Sequence, residues 1–63
     1  MNNQREEWYV YISLNNGVDF VYGPKGSYDA AMLLLQEKVN YLNSAARGDF
    51  KKQVFNSYVK GTK

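Results

Sequence analysis

The chain contains no cysteine and no histidine. Without cysteine it can form neither a disulfide nor a thiolate metal site. Without histidine it lacks the commonest general base and a common metal ligand. The carboxylates stand singly, apart from Glu6 and Glu7 near the N-terminus, so the sequence suggests no acid–base pair and no oxygen cage for a hard metal. We therefore expect no enzymatic activity, no catalytic residues, no metal and no cofactor.

Long apolar runs are also absent. The longest, residues 30–35, is far shorter than the roughly 20 residues that cross a bilayer as a helix. The first ten residues, MNNQREEWYV, carry acidic side chains where a secretory signal peptide has a basic and then an apolar region. The sequence therefore predicts no membrane association and, by default, a cytoplasmic location.

What remains is a small aromatic-rich chain. It has 63 residues, of which 44% are hydrophobic and 16% aromatic, a composition typical of one globular domain near the lower size limit. A domain this small with no disulfide buries little of its surface, so we expect it to self-associate, as a homodimer. The predicted segments are an N-terminal tail over residues 1–6, a β-hairpin over 8–22, a helix over 28–47 and a C-terminal element over 49–60.

The predicted hairpin depends on how many residues its turn contains. A two-residue turn would place Asp19 opposite Leu14, on the apolar side, where an unpaired carboxylate is costly. A three-residue turn, Asn15-Asn16-Gly17, pairs Asp19 with Ser13 instead. Because a shift of one residue exchanges the two faces of a strand, the apolar pattern favours the three-residue turn, with Gly17 in the left-handed conformation.

This register divides the hairpin into two faces. The core face consists of Trp8, Val10, Ile12, Leu14, Val18, Phe20 and Tyr22. The opposite face presents Tyr9, Tyr11 and Val21, with Ser13 and Asp19 nearer the turn.

Helix signals follow the hairpin. Ser27 is a favourable N-cap, and Asp29 in the first turn suits the positive end of the helix dipole. Apolar residues then recur at steps of three and four, and Gly48 is a typical C-terminal stop. The residues of this stripe are Met32, Leu35, Val39, Leu42 and Ala46.

Residues 49–60 have two interpretations. Asp49 can cap a short helix in which Phe50, Val54 and Tyr58 share a face. The β-branched and aromatic residues of the same segment favour a strand that crosses over to lie beside the first one. We predict an α+β fold, a β-hairpin packed on one long helix, followed by a short C-terminal helix or, in the alternative, by a third strand in the order ββαβ.

Charge is distributed unevenly along the chain. Residues 1–46 hold three basic and five acidic residues, and residues 47–63 hold five basic and one acidic. The basic end suits an acidic surface or a nucleic acid, and exposed tyrosines suit protein interfaces. We expect a small non-catalytic protein-binding module, a regulator, inhibitor or adaptor, that uses Tyr9, Tyr11, Val21, Lys51 and Lys52. The alternatives are a single-stranded nucleic-acid binder and a structural, oligomer-forming subunit.

Overall fold

The computed structural model describes residues 6–62, and these residues form an α+β fold. The elements, in chain order, are β1 (Trp8–Leu14), β2 (Asp19–Lys25), α1 (Tyr28–Ala45), a 3-10 turn (Phe50–Lys52) and β3 (Val54–Gly61). Most of the predicted N-terminal tail, residues 1–5, lies outside the described range.

The hairpin has the predicted register. Ile12 lies opposite Phe20, and Ser13 lies opposite Asp19. Gly17 has a φ of 90°, the left-handed conformation expected for the last residue of the turn. The three-residue turn is therefore confirmed, and with it the assignment of residues to the two faces of the hairpin.

The second strand is longer than predicted. It continues beyond residue 22 to Lys25, which pairs with Trp8 across an irregularity in the register. Gly23 lies at this point with a φ of 116°, and a Cβ atom built on it would stand 2.9 Å from the Trp8 carbonyl oxygen. The strand can continue because this position carries glycine, which tolerates both the dihedral angle and the close backbone approach.

The helix begins where its capping signal predicts. The Ser27 side chain accepts a hydrogen bond from the Ala30 N–H at 3.1 Å, and Asp29 lies in the first turn. The helix ends at Ala45, two residues before the predicted limit, with Gly48 at a φ of 83° just beyond it. Within the described part of the chain, no helix combines the length and the apolar composition that crossing a membrane requires.

The prediction of a C-terminal helix is wrong. Asp49 does act as a cap, accepting a hydrogen bond from the Lys51 N–H at 3.2 Å, but the helical segment is only the three-residue 3-10 turn. The following residues, Val54–Gly61, form β3, which pairs antiparallel with β1. The sheet therefore has the order β2-β1-β3, and the alternative ββαβ arrangement is the correct one. Pairing with β1 outweighs the local helical pattern because it satisfies the backbone groups on the otherwise free edge of β1 and packs Val54 and Val59 against the core.

The core lies between α1 and one face of the sheet. Its buried members are Val10, Ile12, Leu14 and Ala31, with Ala46 buried just beyond the helix end. Partly buried residues packed against this core include Trp8, Phe20, Tyr22, Leu34, Leu35, Val39, Leu42, Val54 and Val59. Val18, predicted on the core face, lies at the turn and is 45% exposed.

Candidate protein-binding surface

The face of the sheet opposite α1 carries a contiguous group of aromatic and aliphatic side chains. Because side chains alternate along a strand, the burial of Val10 and Ile12 against the helix places Tyr9 and Tyr11 on the other side. Tyr11 lies opposite Val21 on β2 and opposite Tyr58 on β3, so these three side chains form a row across the sheet. We call Tyr9, Tyr11, Val21 and Tyr58 the tyrosine face.

The members of the tyrosine face differ in exposure. Val21 is 58% and Tyr58 49% exposed, whereas Tyr9 and Tyr11 on the middle strand are half-buried by their neighbours. The described residues place no further element over this side, since α1 packs on the opposite one. The row is therefore accessible from solvent along the full width of the sheet.

Two of the tyrosines stack on each other. The ring centroids of Tyr11 and Tyr58 are 5.1 Å apart, and their planes differ by 15°. Adjacent strands are separated by about 4.8 Å, so the rings stand side by side with their planes facing along the sheet rather than lying flat on it. They present edges and hydroxyl groups to an approaching partner, and one face of each ring is already covered.

Charged groups border the tyrosine face at its two ends. Asp19 lies beside Ser13 near the hairpin turn, and Lys60 lies beside Tyr9 at the far end of β3. Both are exposed. Asp19 thus places a negative charge at one end of the apolar row and Lys60 a positive charge at the other, where the exposed Glu7 also pairs with Thr62.

The structure separates the other two predicted partner-binding residues from the tyrosines. The Lys51 carbonyl accepts a hydrogen bond from the Asn16 N–H at 2.9 Å, which holds Lys51 at the hairpin turn. Lys52 lines a groove of 420 Å³ together with Phe20 and Leu42, residues on the helix side of the sheet. Lys51 and Lys52 therefore lie at the hairpin-turn end of the molecule and are not part of the row formed by Val21, Tyr11 and Tyr58.

The groove beside Lys52 is formed where the chain returns to the hairpin turn. Three hydrogen bonds fasten this return: the Asn15 N–H donates to the Gln53 carbonyl at 3.0 Å, the Asn15 Nδ2 to the Phe50 carbonyl at 2.8 Å, and the Asn16 N–H to Lys51 as described above. The two asparagines of the turn thus shape the hairpin and also anchor the start of β3.

Tyr58 and Lys60 are the residues of this surface that sequence reasoning missed. The expected C-terminal helix contains them, and only the pairing of β3 with β1 places them beside Tyr11 and Tyr9. The β-forming composition of residues 54–59 was the signal that pointed to them.

Residues 6–62 bring no three acidic side chains into a cluster suited to a metal ion. Comparison with protein-family models, with curated proteins and with solved structures found no significant match.

Proposed function

We propose that the chain is a small non-catalytic protein-binding module, acting as a regulator, inhibitor or adaptor, whose partner docks on the tyrosine face. The observation that carries this proposal is the row formed by Val21, Tyr11 and Tyr58, which crosses the whole sheet on the side away from α1. Tyrosine suits such a role because its ring supplies apolar contact area and its hydroxyl makes hydrogen bonds.

The charges at the two ends of the face define the partner more closely. A complementary protein surface has an apolar centre, an acidic group facing Lys60 and a basic group facing Asp19. Such an arrangement fixes the orientation of docking and speeds association more than it adds affinity.

A single-stranded nucleic acid is the second candidate ligand, and one observation favours it. The strand β3 places Lys60 on the same side as Tyr9, Tyr11 and Tyr58, whereas the sequence predicted no basic residue there. Against it, base stacking requires free ring faces, and Tyr11 and Tyr58 already cover one face of each other's ring. The carboxylate of Asp19 on the same surface also repels phosphate. Protein binding is therefore the better-supported function.

Partner capture tests the proposal. The double variant Tyr9→Ala/Tyr11→Ala is expected to lose the captured partner while keeping most of its thermal stability. The matched control is Tyr41→Ala, because Tyr41 is a 67% exposed tyrosine on α1, far in sequence from the tyrosine face. Captured proteins are identified by mass spectrometry, and the purified partner is then titrated by calorimetry against each variant.

A second pair of measurements separates the two candidate ligands. The variant Lys51→Glu/Lys52→Glu should leave binding of a protein partner to the tyrosine face unchanged. Raising the salt concentration should weaken such binding only modestly, whereas binding of an oligothymidylate probe through phosphates falls steeply with salt. Loss of partner binding on charge reversal, with the tyrosine variant unaffected, would refute the proposal.

A further inference from the structure

The two edges of the sheet differ in what they offer to another strand. In an antiparallel sheet the backbone groups of successive residues point alternately to one side and the other. The Thr62 N–H donates to the Glu7 carbonyl at 3.0 Å, which places Thr62 among the residues that bond to the middle strand. Every second residue of the strand points the same way, so Tyr58, four residues before Thr62, also points its backbone groups towards β1. Ser57 and Val59 therefore point theirs outward, into solvent.

The other edge is interrupted. The Leu14 N–H donates to the Val18 carbonyl at 2.8 Å, so the backbone groups of Val18 point towards β1. By the same alternation, the backbone groups of Asp19 and Val21 on β2 point outward. This edge carries a carboxylate at one end, and at the other the register shifts and Pro24 has no N–H to donate. Charges, prolines and irregularities of this kind protect an edge against strand pairing. β3 has an irregularity at Phe55 and a charge at Lys60, but the stretch between them, from Asn56 to Val59, has no such feature.

We infer that the free edge of β3 pairs with the β3 edge of a second copy of this chain, making a two-fold symmetric six-stranded sheet with Tyr58 on the axis. Centring the pairing on Tyr58 lets Ser57 of each copy exchange hydrogen bonds with Val59 of the other, using the backbone groups that point outward. It also sets Asn56 opposite Lys60 twice, so no like charges oppose each other. A symmetric dimer of this type is the commonest closed assembly.

The stacked tyrosines favour this occupant and this register. Tyr11 covers the inner face of the Tyr58 ring, and the outer face is uncovered at the edge of the sheet. Placing Tyr58 of the second copy against it extends the pair into a row of four rings, Tyr11–Tyr58–Tyr58–Tyr11. Opposed residues in a sheet project to the same side, so both helices lie on the side opposite this row. The tyrosine face then continues across both copies. Its use as a docking surface shared by the two copies rests on the proposed function, but the pairing itself does not.

Replacing Tyr58, which lies on the two-fold axis, with residues of opposite charge tests the pairing. Wild-type protein should sediment at twice 7.3 kDa at the upper end of a hundredfold concentration range. Tyr58→Glu and Tyr58→Lys, each alone, should be monomeric because the axis opposes two like charges. An equimolar mixture of the two variants should recover the dimeric mass. Matched controls are Val21→Glu and Val21→Lys, which alter the other end of the same row and should leave the dimer intact.

Amide exchange provides a second measurement that needs no variant. The N–H groups of Ser57 and Val59 should exchange more slowly as the protein concentration rises, while those of Asp19 and Val21 stay unchanged. A constant mass of 7.3 kDa for wild type, dimeric Tyr58 variants, or a mixture that stays monomeric would each overturn the inference. No partner protein is present in these experiments, so their failure leaves the proposed function standing, and loss of partner capture leaves the dimer standing.

Discussion

Neighbouring residues of β1 lie on opposite faces of the sheet and differ in burial and in polarity. On the helix side, Val10 and Ile12 are 0% and 1% exposed and carry no polar side-chain atom. On the open side, Tyr9 and Tyr11 are half-buried and each ends in a hydroxyl group. The contrast shows how one seven-residue strand supplies both the centre of the core and the centre of the tyrosine face, because a period of two keeps the two sets apart.

Among truncations, the largest expected effect is on the helix side of that strand. Ile12→Ala should lower the free energy of unfolding by about 2–5 kcal/mol, the range for removing a buried aliphatic side chain. Truncating its neighbour on the open side, Tyr11→Ala, should cost about 1 kcal/mol, since it removes a stacked cross-strand pair. Urea unfolding of both variants measures the difference. Equal losses of stability would show that the two faces are not divided as described.

A middle-sized effect is expected where the alternation of faces breaks down, at Gly23. Gly23→Ala should destabilise the fold by about 1–3 kcal/mol, because the residue has a positive φ and its new methyl group meets the Trp8 carbonyl. Gly26→Ala is the control, since a methyl group added there would meet nothing within 4 Å beyond its chain neighbours. Thermal melts should separate the two variants. A Gly23→Ala protein as stable as the Gly26→Ala control would contradict the account of this irregularity.

The smallest effect belongs to a polar residue on the open side. Asp19→Val should change the free energy of unfolding by no more than about 0.5 kcal/mol, because Asp19 is exposed. Phe20→Asp moves a carboxylate one residue along, to the helix side, and should prevent folding. Circular dichroism melts of both proteins check the pair. A folded Phe20→Asp variant would mean that the register of the hairpin is wrong.

Much of the fold could be predicted because its signals are local. The three-residue turn followed from the position of a single carboxylate, Asp19, and the helix start followed from Ser27. In residues 54–61 the local signals conflict. Phe50, Val54 and Tyr58 suit a helix by their spacing and a strand by their composition, and only contact with β1, a strand far earlier in the chain, decides between them.

The candidate surface was predictable to the same extent. Tyr9, Tyr11 and Val21 were expected on one face from the hairpin alone, and the structure places them there. Tyr58 and Lys60 join them only because the third strand pairs with β1. Predicting a helix for that segment therefore left both residues out of the predicted surface. Lys51 and Lys52 carry the same positive charge as Lys60. The distribution of charge along a sequence does not reveal which side of a sheet a residue occupies.

The order of the strands has a consequence for biosynthesis. The middle strand, β1, leaves the ribosome before both of its neighbours, and β3 leaves it only after β2 and α1. A nascent chain that has reached the end of α1 can form the hairpin and the helix, yet β1 still has an unpaired edge where β3 will bind. Closing that edge requires contacts between distant parts of the chain, which form slowly, and an unpaired strand edge is prone to aggregation until they do. Until β3 has emerged and paired, the free edge of β1 is the part of this fold most exposed to aggregation.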